Sequence, residues 1–324
     1  MRALHGKQKI QVPWIAHLML FYFRIFAFFM KKAFIQLHTA VFLAGFTAIL
    51  GRLIALNEGL LVWWRLLISS VTMWILFSAG KRLQKISMAD IGRIAGVGLI
   101  ATLHWISFFG AIKYANISVA LVCFSSIGFF TALFEPLLLK TPFRPAELLL
   151  GLLVIAGIYI IFRFDARYKA GIIAGLISAI LGAIFPICNR QFMQRMNAET
   201  LMTYELSGGL LALTVLMPFY LHIFHQRFQL PVISDWIWLL VLSWICSVWA
   251  FQLSSNALKK ISAFTVNLSY NLEPIYGILL AFAIYHENRE LKTSFYLGMS
   301  VILVAVALQM VRVWKSRKIV VSSS

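Results

Sequence analysis

Ten apolar stretches, each close to the length of a membrane-spanning helix, limit what this chain can fold into. A bilayer core is about 30 Å thick, and about 20 helical residues cross it. Of the 324 residues, 61% are hydrophobic and 12% are charged, which is too little charge for the surface of a soluble domain. The predicted spans are residues 33–55, 59–79, 94–112, 117–139, 146–162, 170–188, 201–224, 236–258, 261–285 and 293–313. We therefore expect an all-α polytopic membrane protein.

Basic residues between the predicted spans indicate how the chain is oriented. The formal net charge of +18 is scattered over the predicted helix ends, whereas a nucleic-acid-binding protein gathers such charge in one patch or stripe. If the first span starts in the cytoplasm, the cytoplasmic segments hold about twice as many lysines and arginines as the opposite ones. By the positive-inside rule, both ends of the ten-helix body then lie in the cytoplasm. We expect the protein in the cell (inner) membrane.

An internal repeat divides the chain into two similar halves. The sequence Ala-Ile-Leu-Gly at 48–51 in the first span recurs at 179–182 in the sixth, and Ile-Ser opens the fourth span at 117–118 and the ninth at 261–262. Such matches in register indicate a duplicated unit. Because each half has an odd number of spans, the second half must start on the opposite side of the membrane. This inverted repeat places a solute site near the midplane, between the halves.

The repeat predicts the domain boundaries. Residues 31–163 form the first five-helix repeat, 164–316 the second, and 317–324 a cytoplasmic tail. Residues 1–30 form an N-terminal extension. It is apolar enough to cross a membrane, but Arg24 lies within it, and a charge at that depth costs about 3 kcal/mol on insertion scales. We favour translation from Met30 over an extra interfacial or spanning helix.

Two sequence segments carry a family resemblance. Trp64-Arg65 stands in the second span, and the ninth-span segment 271–278, Asn-Leu-Glu-Pro-Ile-Tyr-Gly-Ile, is followed by Glu287. With the five-plus-five layout, these residues resemble the EamA branch of the drug/metabolite transporter superfamily, over about residues 31–313. The resemblance implies a membrane transporter of small metabolites.

The ninth span contains the densest group of polar residues within an apolar stretch. Asn267, Tyr270, Asn271 and Glu273 precede Pro274. Proline has no N–H, so it leaves the carbonyl of Tyr270 without its helical partner at membrane depth. An ionisable residue beside such a break is a functional candidate by default. We expect Glu273 to bind solute or to carry a proton; pairing with a buried cation is the structural alternative.

Arg65 and Glu205 occupy similar places, early in the second and seventh spans. They either form an ion pair or make separate contacts with solute and with the backbone. If Arg65 faces the cavity, its guanidinium selects an anionic or zwitterionic solute, because it remains charged and binds a carboxylate with two parallel hydrogen bonds.

The remaining candidate residues are polar or aromatic side chains within other spans. His104 can titrate near neutral pH, although a lone membrane histidine is more often a hydrogen-bonded packing residue. Three- and four-residue spacing places three eighth-span residues on one helical stripe. These candidates are His104 and Trp105 in the third span, Ser125 in the fourth, and Trp249, Gln252 and Asn256 in the eighth.

These features favour a secondary active transporter that moves a small, amino-acid-like or other polar solute by alternating access, with export as one possible direction. No nucleotide-binding Gly-rich lysine motif occurs, so a proton or solute gradient supplies the energy. We expect a lipid bilayer and a small solute as partners, protons as a coupling ion, and no nucleic acid, cofactor, metal or catalytic residue. The alternatives are a nucleotide-sugar or lipid-linked metabolite translocator and, less favoured because no hydrolase or metalloprotease motif occurs, a membrane enzyme.

Overall fold

The computed structural model describes the backbone of residues 13–164, 166–261 and 263–322. Side chains are described for residues 31–161, 167–261, 265–266 and 269–312. The predicted extension 1–30 therefore lies partly outside the described backbone, as does Ser262 of the second Ile-Ser pair. The side chain of Asn267 also lies outside the described part.

Within the described residues the chain is helical and contains no strand. The helices are α1 (Pro13–Leu53), α2 (Glu58–Ala79), α3 (Met88–Tyr114), α4 (Ile117–Phe124), α5 (Ile127–Leu139), α6 (Pro145–Phe164), α7 (Lys169–Phe192), α8 (Ala198–Ile223), α9 (Ile233–Leu240), α10 (Ala250–Leu258), α11 (Ala263–Tyr270), α12 (Glu273–Tyr285) and α13 (Thr293–Ser322). A π-helical segment, Val241–Trp249, joins α9 to α10.

The described helices confirm the predicted all-α membrane fold. Eight spans are long and apolar enough to cross a bilayer, and two shorter apolar helices, Pro145–Ile161 and Glu273–Tyr285, occupy the predicted fifth and ninth spans. The predicted fourth span consists of α4 and α5, and the ninth consists of α11 and α12. Ten predicted spans thus correspond to ten helical segments, three of which are interrupted or irregular.

The breaks in the fourth and ninth spans are made by different residues. In the ninth span, Pro274 lies at the start of α12 and removes one helical hydrogen bond. In the fourth span, serine hydroxyls donate to the backbone instead. The Ser125 hydroxyl donates to the carbonyl of Leu121 at 3.0 Å, and the Ser126 hydroxyl donates to that of Cys123 at 2.7 Å. Such bonds compete with the helical ladder and bend a helix.

The two halves match in their helix lengths and caps. Helices α4 and α11 have 8 residues each, and α5 and α12 have 13 each. The residue after each longer helix, Lys140 or His286, has a left-handed backbone with φ 54°. Lys81 and His225, after α2 and α8, likewise share φ 51°. The duplication predicted from short sequence matches therefore extends to backbone conformation, and it places Ser125 opposite Asn271 in the repeat.

Contacts between the halves follow the same symmetry. Helix α3 packs on α7 and α8, while its counterpart, the eighth span, packs on α1 and α2. Glycines allow the closest approaches. A Cβ atom at Gly98 of α3 would lie 2.1 Å from the carbonyl oxygen of Glu205, and one at Gly45 of α1 would lie 2.8 Å from that of Glu273. These crossings tolerate no side chain at either position.

The helices alternate in direction, so the connecting loops gather at two ends of the bundle. One end, which we call the Arg52 end, carries the α1–α2, α3–α4, α8–α9 and α12–α13 loops. The other, which we call the Arg190 end, carries the α2–α3, α5–α6, α7–α8 and α10–α11 connections.

Candidate functional site

Arg65 lies in the middle of the bundle, where α2 meets α3 and the π-helical segment. Only 8% of the residue is exposed. Its Nε donates to the hydroxyl of Ser247 at 3.0 Å, and its Cζ lies 4.5 Å from the ring centroid of Trp105. This distance allows a cation–π interaction. Arg65 and Trp105, which the sequence named as separate candidates, are therefore in direct contact, and both residues come from the first half.

Glu273 approaches the same region from the second half. It is the first residue of α12, and its backbone carbonyl is pressed against Gly45 of α1. Its half-buried carboxylate accepts no hydrogen bond from any described side chain or backbone group. Because an unpaired carboxylate within a membrane span is energetically costly, Glu273 remains a candidate for binding a ligand, an ion or a proton.

Arg65 and Glu273 interact through their charges, but among the described residues they form no ion pair within 4.0 Å. The terminal nitrogens of Arg65 also have no hydrogen-bond partner in this part of the chain. Two opposite charges, one from each half, therefore lie close enough to interact electrostatically without direct contact. The alternative in which Glu273 is neutralised by direct pairing with a buried cation does not describe this geometry.

Tyr270 and Asn271 flank Glu273 but have different surroundings. Tyr270 interacts with Ser254 of α10 and with the charge of Glu273. Asn271 lies in the break between α11 and α12 and faces away, into a separate pocket. Because α11 ends at Tyr270 and α12 begins at Glu273, the residues on either side of the break do not share one continuous helical face. Asn267 has no described side chain, and its predicted role stays a prediction.

The pocket at Asn271 joins the two helix breaks. Ser125 of the fourth span and Asn271 of the ninth both line it, together with Val122, Pro274 and apolar residues of α12 and α13. Since Ser125 and Asn271 are equivalent in the repeat, the pseudo-two-fold axis passes close to this point. The cavity measures about 20 Å³, which is room for about one water molecule. A cavity of this volume is too small for a metabolite in this conformation.

Glu205 and His104 have protein partners of their own. The Glu205 carboxylate, 6% exposed, accepts a hydrogen bond from the Asn189 side chain at 2.6 Å. His104 Nδ1 lies 2.8 Å from the backbone carbonyl of Ser178, and its ring contacts phenylalanines. Among the described residues Arg65 and Glu205 form no ion pair, and Glu205 binds a side chain of its own half; the expected contacts with solute and backbone stay a prediction.

The eighth-span stripe lies at a more exposed surface of the bundle. Trp249 is 50% exposed, Asn256 is exposed and Gln252 is half-buried. The buried face of this span instead carries Ser243, Cys246 and Ser247. Sequence reasoning did not single out Ser247, because a regular helical period gives no signal for a π turn.

Three buried carboxylates at the Arg52 end were not among the predicted site residues, although Glu287 was part of the family resemblance. Glu58 accepts hydrogen bonds from the hydroxyls of Tyr114 and Tyr220. Asp235 accepts from the backbone N–H of Ala55 at 2.9 Å. Each carboxylate interacts with a residue from another span. In the sequence these carboxylates stand at the predicted loop boundaries. Charges there are usually solvated, so their position gave no reason to expect burial.

Glu287, the third of these carboxylates, is fully buried at 0% exposure. It accepts from Arg52 Nη1 at 2.7 Å, from the N–H groups of Ile117 and Ser118 at 3.0 and 2.8 Å, and from the Ser118 hydroxyl at 2.6 Å. It therefore caps α4 of the first half from the α12–α13 loop of the second. This carboxylate therefore joins the two halves at the Arg52 end.

Comparisons with known proteins agree with this architecture. A family model described as the EamA-like transporter family matches residues 31–163 and again residues 169–311, once on each half. One crystal structure of a protein matches with a TM-score of 0.59 at 20% sequence identity, covering 88% of this chain and 98% of the other. At that identity the match shows the fold alone. No curated protein sequence matches.

Proposed function

We propose, given that the chain belongs to the EamA-like transporter family, that it is a secondary active transporter of a small zwitterionic, amino-acid-like solute. Family membership supports a membrane transporter with two five-helix repeats. The charges between the repeats supply the argument for the solute.

The pair Arg65 and Glu273 carries the proposal. Each charge lies at the centre of the bundle, each belongs to a different half, and neither is paired with the other. A zwitterion fits this arrangement, because its carboxylate can bind the terminal nitrogens of Arg65 through two parallel hydrogen bonds while its ammonium group approaches Glu273. An uncharged solute would leave both costly charges without a partner.

The number of buried cations favours this solute over a nucleotide sugar. Among the described side chains, Arg65 is the one buried lysine or arginine. A diphosphate carries at least two negative charges, whereas a carboxylate carries one. A singly charged anionic group therefore matches the site better.

Alternating access requires a barrier on each side of the solute in turn. In this conformation, Glu58, Asp235 and Glu287 bind across the two halves at the Arg52 end. At the Arg190 end, Glu135 pairs with Arg190 at 2.6 Å, but these side chains are 35% and 63% exposed. The contacts at the Arg52 end are thus less exposed to solvent than the pair at the Arg190 end. With the orientation predicted from the basic residues, this end faces away from the cytoplasm.

Uptake into liposomes containing the purified full-length protein tests the proposal. The probes are the twenty radiolabelled L-amino acids, supplied with and without a pH gradient. We expect at least one to accumulate, and Arg65→Gln to abolish its uptake. If Glu273 carries a proton, Glu273→Gln keeps solute binding but loses gradient-driven uptake; if it contacts the solute, binding is lost too.

Glu135→Gln serves as the control, because it removes a carboxylate from an exposed pair far from the bundle centre. Parent-like uptake by both Arg65→Gln and Glu273→Gln across the pH range would show that these charges are structural. Absence of uptake for all twenty amino acids would exclude the proposed solute class.

A further inference from the structure

The π-helical segment of the eighth span holds Arg65 from two directions. Ser247 accepts a hydrogen bond from the guanidinium Nε at 3.0 Å. Ser243, one turn earlier, donates weakly to the backbone carbonyl of Arg65 at 3.4 Å. Both serines are buried. The side chain and the backbone of the same residue are therefore contacted by one short segment.

Ser247 differs from the other helical serines and threonines in its own hydrogen bond. Its hydroxyl donates to the carbonyl of Leu242, five residues earlier, at 2.8 Å. Other described serine and threonine hydroxyls that donate to a preceding carbonyl of their own span reach three or four residues back, as Thr47 does to Ala44 and Ser269 does to Thr265. A π turn makes the longer step possible, and π segments are frequent at functional sites. The wider turn aims the Ser247 oxygen at Arg65.

The guanidinium is thus fixed on two of its sides. Ser247 binds the Nε edge, and Trp105 covers one face. The edge that remains carries Nη1 and Nη2, which have no partner among the described residues. This is the edge that binds a carboxylate through two parallel hydrogen bonds.

We propose that Ser247, placed by the π-helical segment, is a positioning residue that orients Arg65 so that its two terminal nitrogens bind the carboxylate of the solute. This inference rests on the proposed function, since it assumes a carboxylated solute at Arg65. It adds that recognition depends on a hydroxyl from the opposite half, so that the anion site forms only while α2 and the eighth span remain in contact.

Selectivity between an amino acid and its carboxamide provides the test. The carboxamide keeps the ammonium group but has no negative charge, so the uptake ratio of acid to amide reports on Arg65. The probe is the L-amino acid that the parent protein transports best, with its amide, in liposomes containing the full-length protein. We expect Ser247→Ala to lower this ratio about tenfold, the effect of losing a hydrogen bond to a charged group, with amide uptake unchanged. Ser247→Thr keeps the hydroxyl and should restore the ratio.

Ser70→Ala is the matched control, because it removes a buried hydroxyl of α2 that contacts neither the guanidinium nor another polar group among the described residues. It should retain the parent ratio. If Ser247→Ala also retains the ratio while Arg65→Gln loses it, the positioning role is wrong and the proposed function stands. If the parent transports acid and amide equally, or transports no amino acid, both the positioning role and the proposed solute are wrong. Equal loss of acid and amide uptake in Ser247→Ala, with a lowered melting temperature, assigns the serine to packing and overturns the inference.

Discussion

Replacing Glu287 with glutamine tests whether the Arg52 end is a gate. The carboxylate accepts four hydrogen bonds: Oε1 from Arg52 and the Ile117 N–H, and Oε2 from the N–H and hydroxyl of Ser118. Glutamine has the same shape, but it has one acceptor oxygen and one NH₂ donor. In either orientation of the amide, its NH₂ group faces two hydrogen-bond donors that the Glu287 carboxylate accepts from in the parent.

The expected magnitude follows from the burial of this group. A hydrogen bond to a charged group contributes about 1.5–3 kcal/mol, and glutamine would oppose two of the four donors around Glu287, which is 0% exposed, so the loss is about 3–6 kcal/mol. The loss concerns contacts between α1, α4 and the α12–α13 loop, so we expect it to favour separation of these elements over global unfolding. Since about 1.4 kcal/mol corresponds to a factor of ten, the lower figure predicts an open state populated about a hundredfold more.

Cys246 is a native reporter for this opening. It is buried at 6% exposure and interacts electrostatically with Arg65 at the centre of the bundle. In a Cys123→Ala, Cys188→Ala background it is the single thiol of the chain. A membrane-impermeant methanethiosulfonate is added from the Arg52 side of oriented proteoliposomes. We expect the labelling rate of Cys246 to rise about a hundredfold in Glu287→Gln.

Two further variants make the experiment decisive. Glu135→Gln breaks an exposed pair at the other end, worth about 0–1 kcal/mol, and should leave the rate unchanged. Arg52→Gln removes only the ion-pair part of the Glu287 network, and its rate should fall between the two. An unchanged labelling rate in both Glu287→Gln and Arg52→Gln, with parent-like thermal unfolding, would refute the gate.

Three further predictions concern packing, protonation and orientation. Gly45→Ala places a Cβ 2.8 Å from the Glu273 carbonyl and should lower stability by about 1–3 kcal/mol, measured by thermal unfolding; Gly96→Ala, with nothing within 4 Å, should not. His104→Gln should leave the pH profile of uptake unchanged, because the histidine binds Ser178 and packs on aromatic rings; a shifted profile would give it a proton-transfer role. A cysteine in place of Ser324 should react with impermeant reagents only from the cytoplasm, and labelling from outside would reverse the predicted orientation.

The sequence determined the fold class and the main parts of the site. Apolar length and composition alone predict the spans, because each span must satisfy its backbone within the membrane and be long enough to cross it. Pro274 predicts the break in the ninth span, since a missing N–H acts locally. The cost of a charge in a span marks Arg65 and Glu273 as exceptional without any knowledge of their neighbours.

Some features had a local cause that the sequence pattern hides. Serines occur in many helices without breaking them, so the break at Ser125 and Ser126 cannot be read from residue type. The π-helical segment contains no proline or glycine that would indicate an irregular turn. Its wider turn directs Ser247 toward Arg65, a position that regular helical spacing does not predict.

The tertiary structure alone decided which charges pair and which remain free. Arg65 and Glu205 occupy equivalent places in the two halves, yet they have different partners. Where α2 crosses the eighth span, Arg65 donates a hydrogen bond to Ser247, whereas Glu205 accepts one from Asn189. Glu287 lies far along the chain from Ser118, and only the meeting of the two halves places its carboxylate at the start of α4. Electrostatic partners depend on distance in space, and in a bundle of inverted repeats that distance is fixed by how helices from opposite halves cross.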